Sequence, residues 1–204
     1  MPQVIAISGS PSPTSKSARI LETAVELLES QGIRTETFSV RDVPAEDLFH
    51  TRFDSPLIQK LSAGIAKAQA VVVASPIYKA SYPGVFKALL DLLPQKTLQG
   101  KIVLPVATGG SQAHLLAIDY AYKPVFSALG ATHLLQGVYV TDGEIQVLDS
   151  NQGGGIKLAE DPQRRLQNGI SELIEQVRWR EYHVKREKDA EVIALRPARK
   201  AVVP

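Results

Sequence analysis

Residues 4–28 read VIAISGSPSPTSKSARILETAVELL, and the order of events in this stretch decides the fold. Val4 to Ser8 is an unbroken apolar run closed by a hydroxyl. After a loop of small residues, Ile20, Leu21, Ala24, Val25 and Leu28 recur at helical spacing. A buried strand therefore feeds an amphipathic helix. Working outward, apolar runs return at 33–40 (IRTETFSV), 70–75 (AVVVAS), 101–107 (KIVLPVA) and 133–140 (HLLQGVYV). They start about thirty residues apart, the length of a strand-helix-strand unit. Gly32, Gly100 and Gly130 punctuate the returns to strand.

The first, third and fourth runs are continuously apolar, as parallel strands covered on both faces must be, whereas Thr35, Glu36 and Thr37 break up the second. A half-exposed second strand belongs at an edge. The expected architecture is α/β, a doubly wound five-stranded parallel sheet of order 2-1-3-4-5. In that order the first and third strands diverge and leave a ligand crevice at their carboxyl ends.

With 204 residues, 44% of them hydrophobic, the chain is long enough for one core that buries about 70% of its unfolded surface. The formal net charge is +2, but residues 178–204 carry eight basic and four acidic side chains, so the preceding part is slightly acidic. Without cysteine there is no thiolate nucleophile, thiolate metal site or disulfide framework. MPQVIAISGS has neither a basic leader nor a long apolar run, and a cytoplasmic location is expected.

After strand five, TDGEIQVLDSNQGGGIKLAED (141–161) is polar and glycine-rich, with EIQVL as a short strand or hairpin in a mobile excursion. Asp161 is expected to cap a last helix with Pro162 at its first position. Leu166, Ile170, Leu173, Ile174 and Val177 stripe that helix, and the stripe fades near Tyr182. One domain over 1–182 and a basic, flexible extension over 183–204 follow.

Three loops leave the carboxyl ends of neighbouring strands. In SGSPSPTSKS (8–17), Ser8, Ser10, Thr14, Ser15 and Ser17 offer hydroxyls and Lys16 a cation beside a helix N-terminus, whose free N–H groups suit a phosphate. Gly9 permits close backbone approach. The competing reading is a turn with an ordinary serine cap. One glycine cannot make the three-glycine dinucleotide turn, and no GK[ST] ending makes a P-loop. A mononucleotide such as FMN, with a single terminal phosphate, fits instead.

In SPIYKASYPGVFKALLDLL (75–93), Pro76, Ile77, Tyr78 and Lys79 stand at the end of the third strand, with Tyr78 as a flat face for a ring. Lys79 is placed to meet a carbonyl oxygen or a second phosphate. Tyr82 reads as packing, and Lys87 with Asp91 as a surface pair at i,i+4. In ATGGSQAHLL (107–116), Thr108, Gly109, Gly110 and Ser111 can turn backbone N–H groups to a ligand. His114 reads as a helix-start residue. GxSxG and HExxH are absent, and the four histidines are too scattered for zinc.

The next helix, HLLAIDYAYKPVFSALG (114–130), contains Pro124, whose ring would collide with the carbonyl of Tyr120. A kink or π-bulge is expected there. Tyr120 and Tyr122 give this helix an interface-like composition, with a simply bent helix as the plain alternative.

GSPSPTSKS, PIYKASYPGVFKALLDLLP, GKIVLPVATGGSQAHLLAIDYAYKPVFSALGA and the FDSP segment at 53–56 together resemble the NADPH-dependent FMN reductases of two-component alkanesulfonate monooxygenase systems. The likeness spans about residues 3 to 142. It implies a flavodoxin-like fold, a homotetramer built as a dimer of dimers, and reduction of free FMN that passes to a monooxygenase. Carried over, the phosphate loop falls on Ser10, Ser15 and Ser17, and the flavin-ring loops on Pro76 to Lys79 and Thr108 to Ser111. The family's inserted tyrosine, which makes a π-helix at the tetramer interface, matches Tyr120. The chain has Ser12 where the family commonly has Arg, leaving Lys16 or Arg19 to replace that cation.

Hydride transfer from NADPH to a flavin needs no protein acid, base or nucleophile, so the missing triad is expected. Trp179, the only tryptophan, lies far from the loops in sequence, which speaks against a tightly sandwiched flavin. Two other readings remain: an NAD(P)H:quinone or azo-dye reductase that keeps its FMN, and a flavodoxin-like electron carrier. For the tail, a solvated extension competes with docking onto an acidic monooxygenase or a neighbouring subunit.

Overall fold

The computed structural model describes residues 3–148 and 155–194. The parallel sheet is built from β1 (Val4–Ser8), β2 (Thr35–Ser39), β3 (Ala70–Pro76), β4 (Ile102–Gly109), β5 (His133–Leu134) and β6 (Val138–Thr141). Its order is β2-β1-β3-β4-β5, with β6 also pairing with β4, so the expected order holds and β2 is the half-exposed edge.

Alternation along β1 shows how the layers form. Val4 and Ala6 point toward α1 (Lys16–Ser30) and α6 (Glu160–Ala194), while Ile5 and Ile7 point toward α3 (Pro56–Lys67) and α4 (Gly84–Asp91). Both faces of the sheet are covered, which is why its central strands tolerate no polar break. The short α2 (Ala45–Phe49) and α5 (Lys123–Ala128) complete the second layer.

The fifth strand is not continuous as its apolar run suggested. Between the pairs Val103↔Leu134 and Val106↔Val138, two residues of β4 face three of the other strand. The break lies opposite Pro105, which has no N–H to give the ladder. Gly137 completes it at φ +89°, where a Cβ would stand 2.9 Å from the Pro105 ring. This is a β-bulge with a steric reason for its glycine.

EIQVL does form a hairpin: β7 (Ile145–Val147) pairs antiparallel with β8 (Ile156–Leu158). Gly153 and Gly154, at the tip of the expected excursion, lie outside the described residues. The last helix starts at Glu160, two residues before the expected first position at Pro162, and Asp161 sits in its first turn. Its carboxylate pairs with Arg164 and Arg165, so it does not cap the helix. The helix continues without a break past Tyr182 to Ala194, so the tail expected to be a solvated extension is helical that far. Residues 195–204 lie outside the described residues.

Candidate functional site

The three loops come together because the strands that carry them are in register. Ser8 of β1 faces Ala74 of β3, and Pro76 of β3 faces Thr108 of β4. Two backbone bonds extend the register beyond the strands: Gly9 N–H to the Ala74 carbonyl at 2.8 Å, and Ile77 N–H to the Thr108 carbonyl at 2.7 Å. Each loop therefore begins at a fixed height on one rim of the sheet.

In the first loop, Ser15 caps α1, its Oγ accepting from the Ala18 N–H at 3.3 Å. Ser15 and Ser17 hydroxyls lie 2.8 Å apart and both residues are buried, as are Ser8 and Ser10. The Ser10 Oγ accepts the Ser12 N–H at 3.2 Å. The cap reading holds for Ser15, which is also one of the serines expected at a phosphate. Gly9 has a cause the sequence did not disclose: a Cβ there would meet the Phe86 ring at 2.6 Å. The close approach it permits is to the protein's own α4. Lys16 also behaves differently from expectation. Its Nζ donates to the Asp142 carbonyl at 3.1 Å and lies 3.5 Å from the Asp142 carboxylate, so a residue just after β6 holds it.

In the second loop, Tyr78 and Ser81 close a tight turn through two backbone bonds of 2.7 and 3.1 Å. Lys79 and Ala80, its central residues, both have positive φ (50° and 65°), a left-handed pair that non-glycine residues rarely adopt. The turn leaves Tyr78 half exposed and Lys79 exposed, while Pro76 and Ile77 anchor it below. Tyr82 is packing, as read from sequence, edge-on to both Phe86 and Tyr122. Burial pushes its phenol up, with Lys87 opposing and Asp91 reinforcing the shift.

In the third loop, Thr108 and Gly109 are buried while Gly110 and Ser111 are exposed. Nothing stands within 4 Å of where a Gly110 side chain would go, so its backbone is free to approach a ligand. Tyr139 braces the loop from below, donating to the Ser111 carbonyl at 2.6 Å. Arg165 in turn donates to the Tyr139 carbonyl at 2.6 Å. Tyr139 escaped the sequence reading because GVYV reads as a core strand, which it also is. His114 closes a short 3₁₀ turn, Gln112–His114.

Past this loop, a π-helix spans Ile118–Tyr122, immediately before α5 and its Pro124. The expected bulge is present. It sends Tyr120 outward, 79% exposed beside Leu115 and Leu116, and Tyr122 inward, where it is fully buried. The Tyr122 phenol points at the Ser75 carbonyl, 3.4 Å away, one residue before the flavin-loop candidates. Trp179 lies on α6, exposed, with its ring tilted against that of His183. An apolar groove of about 610 Å³ between α2 and α4 is lined by none of the expected site residues.

The family described as NADPH-dependent FMN reductase matches residues 2–145, the segment that carries all three loops and the π-helix. The chain belongs to this family. The FMN reductase (NADPH) of Pseudomonas putida strain KT2440 is 46% identical over 167 residues, 82% of this chain and 84% of that protein. That of Escherichia coli strain K12 is 46% identical over 143 residues, 70% of this chain and 75% of that protein. Among solved structures, apo NADH:FMN oxidoreductase (EMOB) superposes with a TM-score of 0.74 at 33% identity, covering 85% of this chain and 88% of its own.

The chain is accordingly an NAD(P)H-dependent FMN reductase, an oxidoreductase with FMN and NADPH as its cofactor and electron donor. The site fits that chemistry. The reductase offers a serine-lined helix start, an open backbone stretch at Gly110 and an exposed aromatic face at Tyr78. These are the contacts a phosphate and a planar ring require.

Proposed function

We propose that this reductase makes reduced FMN for release to a flavin-dependent monooxygenase that desulfonates alkanesulfonates in sulfur acquisition, and that it works as a homotetramer. The observation that carries the reading is the openness of the ring site. Gly110, Ser111, Tyr78 and Lys79 are all exposed, and no tryptophan closes over them. A flavin held at its phosphate and left uncovered at its ring is suited to leave.

In this reading Ser10, Ser15, Lys16 and Ser17 surround the FMN phosphate, with Ser8 below. Pro76, Ile77, Tyr78 and Lys79 support one side of the ring, and Thr108, Gly109, Gly110 and Ser111 the other. FMN, when bound, supplies the redox chemistry by accepting hydride from the nicotinamide. The protein's part is to orient the two rings, since no side chain has to carry a proton. The exposed Leu115, Leu116 and Tyr120 support self-association through the π-helix face, because aromatic and apolar side chains favour interfaces.

Steady-state kinetics tests the reading. Ordered sequential behaviour with free FMN as a substrate is the expected result, together with sulfite release when an alkanesulfonate monooxygenase and its substrate are added. Ping-pong reduction of quinones or azo dyes with retained FMN would overturn it.

A further inference from the structure

On the far side of the first loop from the flavin-ring candidates, a pocket of about 360 Å³ lies between α1 and β2. Leu21 and Val25 of α1 form its apolar floor, and the hydroxyl residues Ser12, Thr37 and Ser39 line its mouth and β2 side. Three charged residues line it: Glu22 and Glu26 on α1, and Arg41 just past the end of β2.

Arg41 is held in place by its backbone and left free at its head. It lies in the 3₁₀ turn Val40–Asp42, where the Ser39 Oγ accepts the Arg41 N–H at 3.2 Å and the Asp42 carboxylate accepts the Ser39 N–H at 2.8 Å. The adjacent acid is thus committed to capping the turn. Among the described residues, the Arg41 guanidinium has no ion pair within 4.0 Å. Lys16, a cation expected at the first loop, is held by Asp142.

The charge balance selects among ligands. One guanidinium facing two carboxylates gives little attraction for a bare phosphate. A ligand that places a phosphate on Arg41 while its own hydroxyl or amino groups donate to Glu22 and Glu26 satisfies all three. An adenosine carrying a ribose phosphate has that combination, and its base suits the apolar floor. The position agrees. From β4 across β3 and β1 to β2 is three strand spacings, about 14 Å. A dinucleotide with its nicotinamide over the β3 and β4 loops must extend in this direction to bring its adenosine end to the pocket.

We infer that this pocket receives the adenosine end of the nicotinamide donor and that Arg41 meets the 2′-phosphate by which NADPH differs from NADH. The inference rests on the nicotinamide-dependent activity and adds the residue that chooses between the two donors. Guanidinium meets phosphate through two parallel N–H bonds, so Lys at this position is a poor replacement.

The test uses the full chain and Arg41→Ala, titrated with 2′,5′-ADP, 5′-AMP and inorganic phosphate, alongside kcat/KM for NADPH and NADH with FMN. The expected result is a loss of about ten- to a hundredfold in 2′,5′-ADP affinity, with an equal fall in the NADPH-to-NADH ratio of kcat/KM. FMN affinity serves as the control for a displaced first loop, and a fall in it that matches the fall for 2′,5′-ADP overturns the assignment. An unchanged ratio, or parent affinity for inorganic phosphate equal to that for 2′,5′-ADP, overturns it as well. Should the parent oxidise neither nucleotide with FMN, the activity itself fails, while the 2′,5′-ADP titration still decides the role of Arg41.

Discussion

Gly109 and Tyr139 share one volume: a Cβ built on Gly109 would fall on the phenolic oxygen that Tyr139 uses to hold the Ser111 carbonyl. The third loop is therefore shaped by the absence of one atom and the presence of another. Gly109→Ala is expected to cost about 1–3 kcal/mol by overpacking and to weaken FMN binding, since the phenol must leave Ser111. Tyr139→Phe alone should cost about 1 kcal/mol. In the Phe background the alanine should cost less than in the parent, which urea unfolding of the four-member cycle would measure.

Tyr120 and Tyr122 stand two residues apart and should behave as opposites. Tyr122→Ala empties a site surrounded by Tyr82 and Phe126 and is expected to destabilise the fold by about 3–5 kcal/mol. Tyr120→Ala should leave monomer stability within about 0.5 kcal/mol and lower the sedimentation coefficient. Unchanged sedimentation would remove Tyr120 from the interface.

Asp142 holds the lysine that stands at the start of α1. Asp142→Asn is expected to change stability by less than about 1 kcal/mol, because the pair is exposed, while leaving Lys16 only its bond to the backbone carbonyl and removing the charge that competes with a phosphate for it. FMN should then bind more tightly and with steeper salt dependence. Isothermal titration at two ionic strengths checks both.

Burial raises the phenols of Tyr122 and Tyr139 above their ordinary 10.0, with Asp142 and Glu144 adding to the shift at Tyr139. A folded-state value above the unfolded one gives stability that is complete below pH 10 and is lost as pH climbs through the folded value. Alkaline unfolding should consequently begin above pH 10, and the tyrosinate absorbance of these two side chains should rise only as the fold is lost. Tyr122→Phe and Tyr139→Phe should each make the high-pH decline shallower.

The sheet order could be read because it depends on short-range pattern: three uniformly apolar runs and one, TETFS, that alternates. The π-helix could be read because Pro124 acts on a carbonyl four residues back, within the same turn. What escaped were contacts between distant positions. Nothing local to Gly9 points to Phe86, nothing near Lys16 points to Asp142, and a tyrosine in an apolar strand does not announce the loop its hydroxyl holds. The broken fifth strand belongs to the same class, since its cause lies in Pro105 on the neighbouring strand.

That break also sets the parity of everything after it. Leu134 faces the α3–α5 layer, and in an unbroken strand Val138 and Val140 would face it too, with Tyr139 turned toward α1 and α6. The observed arrangement is the reverse: both valines pack with α1 and α6, and Tyr139 lies with Tyr122 and Phe126. One surplus residue inverts the inside and outside of the strand's second half. Were the same residues to run on as a regular strand with no bulge, two valines would face the aromatic layer and the phenol would leave Ser111, so the geometry of the third loop depends on one surplus residue in the strand that carries its brace.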